Sequence, residues 1–171
     1  MQSFKRYLKF IAISFLIGLI IGLVGKNIYS LTAKQPCKWY EKPIVINCIG
    51  EDLKEETIKR AVDYWKEKGE EILFYQYEGS NIVCDQEGRF NGFIILRKDN
   101  GIIEERDVLA TTKRYHKNTV QLIAAEIYFK DGTYNFILLL EHELGHAFGY
   151  NHKKIPGYIM HPYYDLMGKK F

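Results

Sequence analysis

The segment "LLLEHELGHAFGYNHKKIPGYIMHP", residues 138–162, holds three of the chain's five histidines within eleven residues, and a fourth nine residues later. His142 and His146 are four apart, which puts both side chains on one face of an α-helix, one turn from each other. Two imidazole nitrogens placed this way can reach one ion. Glu143 follows His142 directly, so its carboxylate lies beside that ion without having to bind it. Gly149 stands three residues past His146 and suits the left-handed conformation that ends a helix and turns the chain sharply. Such a turn returns His152 to the ion from a different direction. Three neutral imidazoles with one open position make a catalytic zinc site, whereas four closed ligands make a structural one. The chemistry expected is hydrolysis. Zinc lowers the pKa of water, in favourable cases to about 7, and Glu143 takes the proton and returns it to a leaving nitrogen.

His142, Glu143, His146, Gly149 and His152 spell H-E-x-x-H-x-x-G-x-x-H. The pattern resembles the metzincin superfamily of zinc endopeptidases. A methionine turn after the third histidine is that family's second mark, and "YIMHP" offers Met160. The resemblance implies one catalytic Zn2+ on His142, His146 and His152, Glu143 as general base, and Met160 as an apolar floor under the imidazoles. Met-x-Pro at 160–162 looks closest to the matrixin branch, while Lys153, directly after the third histidine, departs from the branch markers. A tyrosine after the methionine supports the tetrahedral intermediate in some metzincins. Tyr163 or Tyr164 is the counterpart here, three or four residues after Met160 rather than two. His161 is expected to point away from the zinc, and His116 to be a solvated turn residue. No calcium loop is indicated.

The elements that must position this segment follow from periodicity. "PIVINCI" (43–49) reads as a strand. In the next segment Leu53, Ile58, Ala61, Val62 and Trp65 recur at helical spacing, with Gly69 placed to end the helix and "KEETIKR" as its solvated face. "EILFYQY" (71–77) and "GFIILRK" (92–98) read as strands with a turn-rich stretch between them. "VLATTKRY" (108–115) and "VQLIAAEIYF" (120–129) form an antiparallel hairpin across "HKNT". The active-site helix then continues an apolar stretch starting near Tyr134. The expected fold is α+β or α/β: one mixed, twisted sheet with an antiparallel edge strand, backed by two helices, plus an N-terminal hydrophobic helix. "VLATTKRY" is the more polar partner of its hairpin and suits an exposed edge, a template for an extended peptide. By resemblance, Leu109, Ala110, Thr111 and Thr112 pair with the substrate backbone, antiparallel and above the zinc.

Residues 1–33 carry Lys5, Arg6, Lys9 and Lys26 and no acid, which leaves 20 basic against 21 acidic side chains in the remainder. No clustered basic face suggests nucleic acid. Residues 1–9 are basic, and the uncharged run of 16 residues at 10–25 lies between a spanning helix and a signal-peptide core in length. It reads as an uncleaved signal anchor with the bulk of the chain outside the cytoplasm, or as a cleaved signal that leaves a secreted protein. Residues 26–42 read as a linker and 43–171 as the peptidase domain. Among the three cysteines one pair can form. Cys48–Cys84 is the better placed, Cys37 lies in the linker, and three free thiols is the alternative. The substrate expected is a protein or peptide; nothing bears on oligomeric state. A zinc-containing binding protein that has lost turnover is the competing function, against which Glu143 argues.

Overall fold

Successive residues of the central strands are apolar on both sides, and the computed structural model shows why: the sheet is covered on both faces. The structure describes residues 37–77, 81–86 and 89–171. Its elements are β1 (Lys38–Trp39), β2 (Ile44–Asn47), α1 (Glu55–Glu67), β3 (Phe74–Gln76), α2 (Asn81–Cys84), β4 (Phe93–Lys98), β5 (Ala110–Asn118), β6 (Gln121–Phe129), α3 (Leu139–Ala147) and a 3₁₀ turn (Tyr164–Leu166). β3, β2, β4 and β6 pair in that order, all parallel, and β1 pairs parallel with the start of β6. β5 pairs antiparallel with β6. The sheet is thus mixed, with the antiparallel edge strand expected from the hairpin, and among the described residues β5 has no second partner.

The pleat sorts side chains by parity. Val45, Ile94, Leu96, Ala125, Ile127 and Phe129 face α1 and α3, where they meet Ile58, Trp65, Leu140, Leu144, Phe148 and Met160 in the main core. Ile46 and Ile95 face the other way and pack with Val83 of α2. That second face is closed by a disulfide between Cys48 and Cys84, the pair favoured from sequence, and Cys37 is free. Arg97, on the same face, donates to Glu126 at 3.0 Å and to the carbonyls of Val83, Cys84 and Gln86. Tyr115 donates to the other Glu126 oxygen at 2.6 Å. A buried ion pair is thereby fully hydrogen-bonded, the condition under which such a pair is tolerated.

The structure departs from expectation in five places. The apolar stretch from Tyr134 is not helical until Leu139. Asn135 instead turns to α1, where its side-chain oxygen accepts from the Lys54 N–H and the Thr57 hydroxyl, and Leu138 takes a left-handed φ of 69° just before α3. The hairpin turn is shorter than "HKNT", because β5 runs to Asn118, whose side chain accepts from the N–H groups of Val120 and Gln121. The strand expected at 71–77 shrinks to Phe74–Gln76. The turn-rich stretch holds α2, so the α-helices among the described residues number three, where two were expected to back the sheet. The linker expected to run to residue 42 is already part of the sheet at Lys38–Trp39, and the Trp39 indole donates to the Ala147 carbonyl at the end of α3 at 3.0 Å. The hydrophobic run at 10–25 lies outside the described residues, among which no helix is long and apolar enough to cross a membrane.

Candidate active site

α3 is only nine residues long, and nearly every position on it is buried. A helix this short is marginal alone and depends on tertiary contacts. Trp65 of α1 donates its indole N–H to the Glu141 carbonyl at 2.6 Å, and Arg60 donates to the Glu141 carboxylate at 2.6 Å. These contacts set the helix so that His142, Glu143 and His146 face a cleft of about 650 Å³.

The chain then turns back as the spacing predicts. Gly149 has φ 93°, and a Cβ there would lie 2.8 Å from the Cys37 backbone nitrogen. Both facts demand glycine. His152 returns to the other side of the site, and its Nε2 lies 3.2 Å from His142 Nε2 and 3.0 Å from His146 Nε2. The other nitrogen of each helical histidine is held: His142 Nδ1 lies 2.8 Å from the Ile159 carbonyl, and His146 Nδ1 lies 2.8 Å from the Tyr150 carbonyl. A carbonyl only accepts, so both Nδ1 atoms carry the proton and both Nε2 lone pairs aim inward. Burial pushes the His142 and His146 imidazoles down to about 4 and about 3, and lowers His152, which keeps them neutral and free to ligate. Ligands of a tetrahedral zinc with bonds of about 2.0–2.1 Å are themselves separated by roughly 3.3–3.4 Å, close to the spacing seen. The three residues fit a zinc ion, and carbonyls orienting the ligand rings are the usual support of such a site.

Glu143 is 4% exposed, and its carboxylate accepts from the Thr112 hydroxyl of β5 at 2.5 Å. Burial pushes its carboxyl up to about 7, an effect the Thr112 bond partly offsets.

The sequence of the matrixin peptidase family matches residues 44–171. The chain belongs to the matrixin family. No curated protein matches it significantly. Matrixins are zinc metallopeptidases, in keeping with the three-histidine group in this one.

Of the other residues singled out in this matrixin, Leu109, Ala110, Thr111 and Thr112 line one wall of the cleft. The Leu109 carbonyl accepts from the Lys130 N–H, so Leu109, Thr111 and Lys113 turn their backbone groups to β6 and Ala110 and Thr112 turn theirs to the open edge. Tyr164 lines the cleft and packs on Phe136, with ring centroids 5.7 Å apart. Tyr163 does not line the cleft: the chain's turn sends it to solvent at 61% exposure. His161 is buried, and its Nδ1 accepts from the Tyr163 N–H at 3.1 Å, while His116 is exposed on β5. The pair Arg60–Glu141 and the clamp at Arg97 carried no periodic signal and were missed. Glu141, Arg97 and Glu126 show in the sequence only as charges inside apolar runs, and Arg60 lies in the stretch "KEETIKR" read as a solvated face, where it instead reaches buried Glu141.

Met160 is fully buried and packs against Gly145, the helix position between the two histidine turns. A Cβ on Gly145 would lie 2.3 Å from Met160 Sδ and 2.6 Å from Trp65 Cζ2. Gly145→Ala, a favourable change in an ordinary helix, therefore has to push α3 off its two supports. The expected loss is about 1–3 kcal/mol of stability with weakened zinc retention. Thermal unfolding and metal content after dialysis measure both, and an unchanged or raised Tm with full zinc would show that the contact yields freely.

Proposed function

We propose that this matrixin hydrolyses internal peptide bonds, with His142, His146 and His152 as zinc ligands and Glu143 as the general base. The observation that carries the reading is Glu143 itself. Its carboxylate is buried beside the ligands, belongs to none of the ligand contacts, and is oriented toward the cleft by Thr112. Zinc when bound supplies Lewis-acid chemistry, acidifying water and polarising a carbonyl. Glu143 accepts a proton from the attacking water and delivers it to the leaving nitrogen. Tyr164 lines the same cleft, and its hydroxyl would donate to the developing oxyanion.

Removing the base and removing a ligand give different outcomes. Glu143→Ala loses hydrolysis by roughly 10²- to 10⁴-fold and still binds one zinc. His142→Ala and His146→Ala lose the metal, and His152→Ala binds it weakly. Elemental analysis of dialysed protein, beside turnover of a broad peptide library with and without chelator, separates these cases. Loss of zinc from folded Glu143→Ala would remove Glu143 from its role. Full zinc and no turnover in the unaltered chain would instead favour a binding protein.

Substrate lies along β5, antiparallel to it. The support is the unpaired edge, whose outward-turned groups at Ala110 and Thr112 flank the histidines. Ala110→Pro removes an outward N–H, and Thr111→Pro removes one that serves β6. The first is expected to cut peptide turnover at least roughly tenfold with zinc and fold intact, and the second to lower stability as well. Unchanged kinetics in both would mean that substrate is held elsewhere.

The domain lies outside the cytoplasm, tethered by residues 10–25. The basic residues before that run and the Cys48–Cys84 disulfide support this side, since disulfides persist in oxidising compartments. Protease added to intact cells or spheroplasts should digest a C-terminal tag, and a protected tag would place the domain inside.

A further inference from the structure

Arg114 is the only lysine or arginine lining the cleft among the described residues. It follows Thr112 by two residues and pairs with Ala125, whose side chain faces the helices. The pleat therefore brings Arg114 out on the side of α3, one step beyond Thr112. On α3, His146 lies one turn beyond Glu143. Strand and helix run alongside each other here: Thr112 bonds to Glu143, and Arg114 and His146 both line the cleft one step further on.

Arg114 is half-buried and, among the described residues, makes no hydrogen bond or ion pair. Arg60 and Arg97, by contrast, are each paired with a buried glutamate. A half-buried guanidinium with none of its five donors bonded to the protein is free to meet a carboxylate brought into the cleft. The protein's own candidates do not serve. Glu143 is committed to Thr112, and Asp107, the other carboxylate of the cleft, lies in the turn before β5, seven residues back along the chain, and forms no ion pair with Arg114 among the described residues.

We propose that Arg114 is a specificity-determining residue that selects substrates carrying Asp or Glu on the N-terminal side of the scissile bond. The inference rests on the peptidase reading and on antiparallel pairing with β5. A strand laid antiparallel on that edge runs backwards relative to it. Residues preceding the bond therefore lie against the later part of β5, where Arg114 stands beyond Ala110 and Thr112. The carboxylate it meets belongs to a residue about two to four positions before the bond.

The test uses the full chain loaded with zinc and a set of otherwise neutral peptides. Each carries Glu, Ala or Lys at one position two, three or four residues before the bond, or at the matching position after it. The reading is the ratio of kcat/KM between peptides within each enzyme, with zinc content as the check on fold. Glu should exceed Ala roughly tenfold at one position before the bond, and Lys should fall below Ala. Arg114→Glu should invert the order, and Arg114→Lys should keep its sign at smaller size. Flat ratios in the unaltered enzyme, a preference confined to the far side of the bond, or an acidic preference surviving in Arg114→Glu each overturn the assignment while leaving the peptidase reading intact. Failure to cleave any peptide overturns the peptidase reading and this inference with it.

Discussion

The Nε2 atoms of His142 and His146, brought within 3.0–3.2 Å of His152 Nε2, are the constraint that the rest of the domain serves. Nothing in the rings themselves favours the arrangement. With Nδ1 protonated on His142 and His146, both inward nitrogens are acceptors, and acceptors facing one another repel. The geometry is imposed from outside, by the Ile159 and Tyr150 carbonyls that hold the far side of each ring. Each carbonyl is presented by a turn. The Tyr150 carbonyl depends on the left-handed Gly149, and the Ile159 carbonyl depends on the chain that runs back under α3 to seat Met160. The cost of facing acceptors is thus met by backbone hydrogen bonds, and a divalent cation is the natural complement to what remains.

α3 needs equally firm support on its other sides. The stack formed by Trp65, Phe148, Tyr150 and Phe171 surrounds its C-terminal end, with ring centroids 5.0–5.7 Å from that of Trp65. Arg60–Glu141 is less economical than Arg97–Glu126. One Arg60 nitrogen and one Glu141 oxygen are buried without a hydrogen-bond partner among the described residues. A buried pair so incompletely bonded is poor evidence for stability and better evidence for orientation. Glu141 directly precedes His142, so the pair, together with the Trp65 bond to the Glu141 carbonyl, holds the rotation of the helix about its axis at the first of the three clustered histidines.

The parts legible in the sequence were those set by local periodicity or by fixed motif spacing. α1 announced itself through Ile58, Ala61, Val62 and Trp65, and β2, β4 and the hairpin through runs of β-branched and apolar residues. The ligand spacing needed only helix geometry and one glycine. What was missed depends on long-range partners. Asn135 is an unremarkable residue in sequence, but its use as a cap for α1 across the fold ends any helix through Tyr134–Leu138. Lys38–Trp39 has no strand signal of its own and pairs because the start of β6 offers an unpaired edge. Trp39 was invisible as a structural residue until its indole met the end of α3. Tyr163 and Tyr164 could not be separated by spacing, since only the path of the turn after Pro162 decides which one faces the cleft.

β5 carries two duties through one alternation. Even-numbered residues Ala110 and Thr112 turn their backbone groups to the open edge, and the same residues turn their side chains to α3, where Thr112 holds Glu143. The strand that would seat a substrate backbone is therefore also the strand that aims the proposed base. A shift of β5 along β6 by one residue would exchange inward for outward groups and would take Thr112 away from Glu143 in the same movement. On the proposed binding mode, substrate register and base orientation would be one variable in this fold rather than two. That coupling fits the way the edge beside the site is tied down, with eight of the nine residues of β5 paired to β6 and the Thr133 hydroxyl donating to the Leu109 carbonyl. An edge strand free to slide would still bind peptide, but it would present the scissile bond to a carboxylate that had moved.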